Sequence, residues 1–476
     1  MKKNSTLSPL SLALLTAGFW CVAAPAMAQS DTAARINKLE REIQGLKDQL
    51  YSSTKENVVV GDAPGSLRIP NTDSSLRVYG IAELNMVREA KGDNSDNDYS
   101  TFLPYAPLRG SAQANKTGRT FMYARTSRLG LEAATPSPYG QVSVKIEGDF
   151  NNDPRSGNSA VSGDGQAQIY TQQVSNSYGL RLRQAYFQMG GFLVGQSWST
   201  FMDLDNTPET VDFNGPIGGT FLRQPQIRYT YATPQSGNYT VALENSVSYV
   251  LDATGTAMSS GFSKKPDLIV RWDRAFDWGA LNLRAVSHEI QVNNGGTHTT
   301  NDGGTVVQGI NSAKRGTGMA ASGQIKTVGE DFISWIVTSG TGIGRYFNYI
   351  EGAGYNANTG AIELEKATGI VLGYQKKFSD SLRMNLVYGQ QKHHENGYTT
   401  WAKANGLDGG LDGADGLDSG RYGVNRKVQQ FHIGGFWNPI KPVEIGAEYI
   451  IGKRETLAGR IGDMSRVNLL ARYNIN

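Results

Sequence analysis

Residues 141–150 read QVSVKIEGDF, and alternate positions fall into two sets. Val142, Val144, Ile146, Gly148 and Phe150 are apolar or small, whereas Gln141, Ser143, Lys145, Glu147 and Asp149 are polar, most of them charged. A period of two is the mark of a strand with one apolar and one wet face. In a soluble sandwich the apolar face is core. In a transmembrane barrel it meets lipid and the charges line a lumen. The choice between these rests on the rest of the chain.

The same split recurs. Leu76, Val78, Ala82, Leu84 and Met86 alternate with Arg77, Tyr79, Glu83 and Asn85; Leu382, Met384 and Leu386 alternate with Arg383 and Asn385. A barrel filled by apolar side chains has no room for so many charges on one face, so these faces suit a water-filled lumen. The pattern yields about sixteen strands of about 8–17 residues, among them 120–134, 239–249 and 362–378, against the 9–11 that cross a bilayer at a tilt. Short turns alternate with long polar loops at 89–119, 151–177, 200–222, 250–266, 292–315, 343–361, 392–426 and 453–463. A transmembrane barrel sorts its connections this way, with turns facing the periplasm and loops facing outside. Tyr139, Tyr231, Tyr239, Trp278, Trp335, Phe436 and Trp437 cluster near the short turns, as an interfacial girdle requires.

The chain has 476 residues, 57 of them Gly, and 39% hydrophobic residues. Its mean hydropathy of −0.40 rules out a polytopic helical protein. Residues 1–28 read as a secretion signal: Lys2 and Lys3, then the apolar run Leu10–Ala24, then Ala26-Met27-Ala28. The one cysteine, Cys21, lies inside it, so the exported part has no disulfide and no thiolate ligand. The formal charge of +3 falls to +1 without Lys2 and Lys3. With export, that argues against nucleic acid. Residues 29–55 hold a coiled-coil helix whose seam is Ile36, Leu39, Ile43, Leu46 and Leu50. Arg35 with Glu40, and Glu42 with Lys47, suit a parallel, in-register coil. Ile at one seam position and Leu at the other favour a dimer. Two heptads are too short to hold chains together alone, so another interface must contribute. Residues 56–75 form a linker, and 76–476 the barrel. Both barrel termini fall on the turn side, which places the coil in the periplasm.

Enzyme signals are weak. Of the 5 histidines, His393 and His394 head a polar loop and would need metal ligands from elsewhere. His288 and His432 lie on the lumenal parity of strands with no Ser or Asn partner fixed by spacing; His298 sits in a loop. The repeated Gly-Leu-Asp of 405–420 lacks the register of a calcium-binding repeat and reads as an acidic outer loop. No metal or cofactor is expected. Arginines are more informative. Arg181 and Arg183 share one strand face, and Arg223 and Arg228 belong to a later strand. Between them, the loop about 200–222 carries Asp203, Asp205, Glu209 and Asp212, with Gly215, Gly218 and Gly219 for tight bends. Folded inward against a basic wall, such a loop would set up a transverse field that selects by charge. Arg128, Arg271, Arg284 and Lys145 join the candidate pore residues on the polar faces of their strands.

The linker ending GSLRIPNTDSSLRVYG, then RTSRLGLEAATP, LRLRQAYFQMGGFLVGQSWSTFMD and RQPQIRYTY, together resemble the DcaP-like outer-membrane porins of Gram-negative bacteria. The resemblance covers most of the chain. It implies a homotrimer of barrels in the outer membrane, among lipid and lipopolysaccharide, with a periplasmic stalk and uptake of small anionic solutes, notably dicarboxylates. It implies a trimeric coil in place of the dimer that the seam favours, an inward third loop at about 200–222, and basic lumenal residues at Arg181, Arg183, Arg223 and Arg228. Such barrels usually end in an aromatic residue; here the ending is ARYNIN, with Tyr473 as the last aromatic. The expectation is therefore an all-β transmembrane barrel passing small hydrophilic solutes, with a preference for anions. A sugar-type porin would need a lumenal aromatic ladder, for which Tyr79 and Phe187 are candidates. A structural anchor would tie the membrane through its stalk to peptidoglycan.

Overall fold

In the computed structural model, the strand that carries VSVKIEGDF is buried on its charged face and open on its apolar one. Glu147 and Asp149 are 2% and 0% exposed, whereas Val144, Ile146 and Phe150 are 40%, 51% and 45% exposed. A soluble protein would have the reverse. Exposed aliphatic side chains around buried carboxylates are stable only where the outer surroundings are lipid. The structure describes residues 35–48, 60–61, 65–92, 103–152, 178–258, 263–294, 297–299, 305–307, 310–347, 350, 352–410 and 423–475. The signal-peptide reading, Leu50 and most of the Gly-Leu-Asp loop lie outside them.

The chain divides into two units, Met1–Val60 and Gly61–Asn476. The first contains the helix α1 over 35–48. Its seam residues Ile36, Leu39, Ile43 and Leu46 are all exposed in the single chain. The second is a closed antiparallel barrel of 16 strands. In order they are β1 (Ser75–Lys91), β2 (Thr120–Tyr123 and Arg128–Thr135), β3 (Val142–Asn152), β4 (Gly179–Met189), β5 (Phe192–Trp198), β6 (Arg223–Thr233), β7 (Gly237–Glu244) and β8 (Asp267–Phe276). There follow β9 (Gly279–Asn294), β10 (Ile310–Lys326), β11 (Phe332–Thr341), β12 (Lys366–Ser379), β13 (Leu382–His393), β14 (Asn425–Ile440), β15 (Val443–Thr456) and β16 (Ile461–Ile475). Pairing of Gly80 with Ile475 and of Arg88 with Val467 closes the ring between β1 and β16. Closure leaves no sheet edge, which is what a strand protein needs in a medium without water.

Three expected strands are broken or cut short, each where a carboxylate takes a specific hydrogen bond. The second is broken at 124–127, where Thr126 and Ser127 turn inward to bond Glu83: Thr126 Oγ1 donates to its carboxylate at 2.6 Å, and the Glu83 amide donates to Ser127 Oγ at 3.0 Å. The run 362–378 is split by buried Glu365, whose carboxylate accepts the Ile343 amide at 2.8 Å. Ala361–Leu364 instead pairs with Ala353–Asn356 in an outer-loop hairpin. The strand expected over 239–249 stops at Glu244, whose carboxylate accepts the Thr200 amide at 2.6 Å. In the aromatic girdle, Tyr139, Tyr231, Tyr239, Trp278 and Trp437 are exposed, but Phe436 is buried, with the Arg383 guanidinium 4.6 Å from its ring.

The lumen is not uniformly wet. Phe201, Ile269, Val286, Ala320, Ile343, Tyr346, Phe347 and Ala367 form one buried cluster. It joins the start of the 200–222 loop and the inward turn Gly344–Tyr346 to the inner faces of β8, β9, β10 and β12. Across the outer end, the loop helix α2 (Gly397–Ala404) is capped by Asn396 and packs Tyr398 and Trp401 inward, with Trp401 Nε1 donating to the Tyr355 carbonyl at 3.1 Å.

Candidate functional site

The 200–222 loop enters the barrel and is tied along one side of it. Asp203 accepts Asn206 Nδ2 at 2.6 Å and lies 3.7 Å from Arg271 and 3.6 Å from Arg284. Arg284 is buried, donating to the Phe201 carbonyl at 2.7 Å and to Ser322 Oγ at 2.6 Å. Further along, Arg383 grips Glu209 with two bonds of 2.7 and 2.6 Å. Next, Glu448 accepts the amides of Val211 and Asp212 at 3.2 and 3.0 Å, and Gln430 accepts that of Ile217 at 3.0 Å. Gly218 has φ +102°, and a Cβ there would sit 2.5 and 2.6 Å from the carbonyl oxygens of Gln390 and Ile370. Only glycine allows the loop to lie this close to the wall. The anchors thus run from β8 through β10, β13 and β14 to β15.

The rest of the wall carries the other candidates. Arg181 clasps Asp149 at 2.9 and 2.7 Å. Arg183 bridges Glu147 at 2.6 Å and Asp149 at 2.7 Å. Glu147 also accepts Tyr79 Oη at 2.9 Å and lies 3.8 Å from Arg128. Lys145 reaches Glu132 at 2.8 Å, and Arg472 reaches Glu83 at 2.6 Å and Glu444 at 3.0 Å. Arg223 lies over Trp198 at 4.0 Å, and its Nε and Nη2 have no protein acceptor. Arg228 has no hydrogen bond or ion pair within 4.0 Å among the described residues. The loop approaches this wall at its tip, where the Phe213 ring is 5.9 Å from the Arg181 guanidinium.

The loop therefore folds inward, but Asp203 and Glu209 pair with arginines other than Arg181, Arg183, Arg223 and Arg228. Asp203 pairs with Arg271 and Arg284, and Glu209 pairs with Arg383. Asp205 is exposed, and Asp212 is buried beside Glu448. Arg383, Arg472 and Glu448 were not among the candidates. Strand parity places Arg383 on the lumenal face, but nothing local links it to Glu209. Phe187 is 43% exposed and shares the outer face with Val144, so it belongs to no lumenal aromatic ladder.

Among the described residues, the histidines assemble no catalytic relay. Ser246 Oγ is 3.2 Å from His288 Nδ1, but Asp267 takes the same nitrogen at 2.7 Å. A nucleophile and an orienting carboxylate must use opposite ring nitrogens. His432 lies 3.3 Å from Glu448, and His393 Nδ1 donates to the Asn425 carbonyl at 2.6 Å. Among the described residues, no group of three or more His, Cys, Asp or Glu is placed to hold a metal.

The model of the DcaP outer membrane protein family matches residues 104–475. Among solved structures, the chain is similar to the outer membrane channel DcaP of Acinetobacter baumannii, with 23% identity and a TM-score of 0.65 over 88% of this chain and 100% of that one. It is also similar to the trimer form of OmpT of Vibrio cholerae (12% identity, TM-score 0.48, 84% of this chain and 99% of that one). The anion-selective porin from Comamonas acidovorans gives 14% identity and a TM-score of 0.45 over 84% of this chain and 100% of that one. No curated protein matches.

Proposed function

The chain belongs to the DcaP outer membrane protein family, and from that premise we propose that this outer-membrane porin passes small hydrophilic solutes by diffusion with a preference for anions such as dicarboxylates. The observation that carries the reading is the state of Arg223 and Arg228. Asp203 and Glu209 meet arginines on the anchoring side, so Arg271, Arg284 and Arg383 are spent on holding the loop. On the opposite wall Glu147 and Asp149 are spent on Arg181 and Arg183. Arg223 and Arg228 have no carboxylate within 4.0 Å among the described residues.

An anion entering the lumen meets two guanidinium groups that owe no charge to the protein. A cation meets Glu147, Asp149, Asp203 and Glu209 already covered by arginines, with Asp205 the exposed acid of the loop. In a narrow, partly dehydrated passage this imbalance is felt more strongly than in bulk water. At about 8 Å and an effective dielectric of about 40–80, one such arginine stabilises a passing carboxylate by about 0.5–1 kcal/mol. A dicarboxylate carries twice the charge and gains about twice as much at each, meeting them in turn because they are set apart along β6. The test is the reversal potential of the purified protein in a planar bilayer under a KCl gradient. Anion selectivity is expected, with succinate more permeant than a sugar of similar size in liposome swelling. Cation selectivity would sink the reading.

The homotrimer is part of the same proposal. Ile36, Leu39, Ile43 and Leu46 form an apolar seam that a single chain leaves exposed, and in a parallel coil three such seams bury one another. Removing residues 31–50 should weaken the trimer in detergent without altering single-channel conductance.

A further inference from the structure

The outer ends of β12, β13 and β14 carry Lys366, Lys392 and Lys427 on the face that points away from the lumen. Along these strands the outward positions continue toward the periplasm as Leu372, Leu386 and Phe431, which are exposed, while the intervening Ala367, Val387 and Val428 are buried. Lys392 and Lys427 stand directly opposite each other in the β13–β14 register, and Lys366 is diagonal to Lys392 through Thr368. Like charges directly opposite on one sheet face repel, and the diagonal neighbour is only about 7–8 Å away. None of the three lysines has a hydrogen bond or an ion pair among the described residues. Glu455, the residue opposite Lys427 on β15, is taken by Arg426 at 3.3 Å.

Beneath the lysines the same face is graded. A band of hydroxyls and amides comes first: Ser339 and Thr368 are 3.3 Å apart, and Tyr388 Oη donates to Gln390 at 3.0 Å. Beside it lies a groove of about 450 Å³ on the outer wall, with Tyr388, Phe431, Tyr449 and Ile451 as its apolar lining and Gln429 and Lys453 toward its outer end. Asp463, on its far edge, is bonded by Arg109 at 2.9 Å. Cations at the outer rim, hydroxyls and amides below them, and an apolar groove below those repeat the profile of one leaflet with an anionic headgroup.

We propose that this face binds one class of lipid, a phosphorylated, multi-acyl glycolipid of the outer leaflet such as the lipid A part of lipopolysaccharide. Its phosphates bridge Lys392 and Lys427, with Lys366 and Lys453 flanking them, and an acyl chain occupies the groove between Phe431 and Tyr449. A bridging phosphate removes the repulsion that the bare lysine pair carries. A second copy of the chain is the weaker occupant, because it would bury these lysines without supplying their anions.

The test uses the full-length protein in detergent, with native mass spectrometry and thermal unfolding read together. Bisphosphorylated lipid A should bind and raise the unfolding temperature. Its dephosphorylated form, phosphatidylethanolamine and inorganic phosphate should do neither. K392Q/K427Q should weaken lipid A binding at least fivefold while leaving conductance unchanged, and K392R/K427R, which keeps both charges and guards against a folding defect, should restore binding. Equal binding by K392Q/K427Q and the native protein would overturn the proposal. So would equal binding of the dephosphorylated lipid, the same temperature shift from inorganic phosphate alone, or a change of subunit number in K392Q/K427Q with lipid binding intact.

Discussion

The Arg223 guanidinium lies 4.0 Å from the centre of the Trp198 ring, and the Arg183 guanidinium lies 6.0 Å from the same ring. The contacts differ in consequence. Arg183 is also locked to two carboxylates, whereas Arg223 is held by aromatic rings, Trp198 and, at 5.9 Å, Phe221. Stacking fixes the guanidinium in place without pairing its charge; Nε and Nη2 of Arg223 are buried, so a passing carboxylate feels the group through its field. R223Q and R228Q should each lower the anion-to-cation permeability ratio roughly two- to fivefold, the equivalent of about 0.5–1 kcal/mol. R223K should keep most of the selectivity while losing the stacking. Reversal potentials measure all three, and unchanged ratios in R223Q/R228Q would move the filter elsewhere.

Arg183 should behave differently. It is buried and holds Glu147 at 2.6 Å and Asp149 at 2.7 Å. Removing one partner from a buried ion pair leaves its acids uncovered, at a cost on the order of 3 kcal/mol where water does not replace it. R181A/R183A should therefore lower the unfolding temperature and shift selectivity toward cations by more than R223Q does. R183A/E147Q, which removes both signs, should recover part of each. A double variant no better than the single one would mean that Arg183 acts through its own positive charge.

The inward loop rests on the Glu209–Arg383 pair and on Gly218. R383Q removes two charge-assisted bonds to Glu209, about 1 kcal/mol for a partly exposed pair, and also the bond to Glu444, which Arg472 still covers. The barrel strands should stay formed while the loop gains freedom, seen as noisier single-channel current and closure at lower voltage. G218A is the harsher change, since its φ is +102° and the new Cβ would meet two wall carbonyl oxygens. It should displace the loop by an amount readable as altered conductance. Quiet, native-like current in both variants would show that other anchors are sufficient.

The barrel was legible in the sequence because a period of two is a local signal that each strand repeats. QVSVKIEGDF shows which residues share a face, and alternating turns and loops decide which face meets lipid. The charge pairing was not legible. Asp203 and Glu209 sit close in sequence to Arg223 and Arg228, but the closed sheet brings Arg284 and Arg383 to them instead. Which wall an inward loop touches depends on loop length and on close approaches such as that of Gly218, and no alternation pattern encodes these. The strand breaks at Thr126 and Glu365 were hidden for the same reason, since each is made by a bond to a residue distant in sequence or across a turn.

At the periplasmic rim the turn before β11 ends in Asp331. The Lys377 amide donates to its carboxylate at 2.9 Å, Tyr374 Oη at 2.9 Å and Lys376 Nζ at 3.2 Å. The Lys377 backbone bond, followed by those from Tyr374 and Lys376, holds the Asp331 carboxyl below the usual carboxylate range. A carboxyl depressed in the folded state stabilises the barrel above its unfolded value, about 3.9, and loses that contribution as pH falls through the lower folded value. The native protein should thus lose resistance to thermal unfolding progressively below about pH 4. D331N, which can still accept hydrogen bonds but has no charge, should start less stable at neutral pH and show a flatter dependence between about pH 5 and pH 2. Heat-modified migration on gels after incubation across that range reads both. Parallel curves for D331N and the native protein would place the acid sensitivity in other carboxylates.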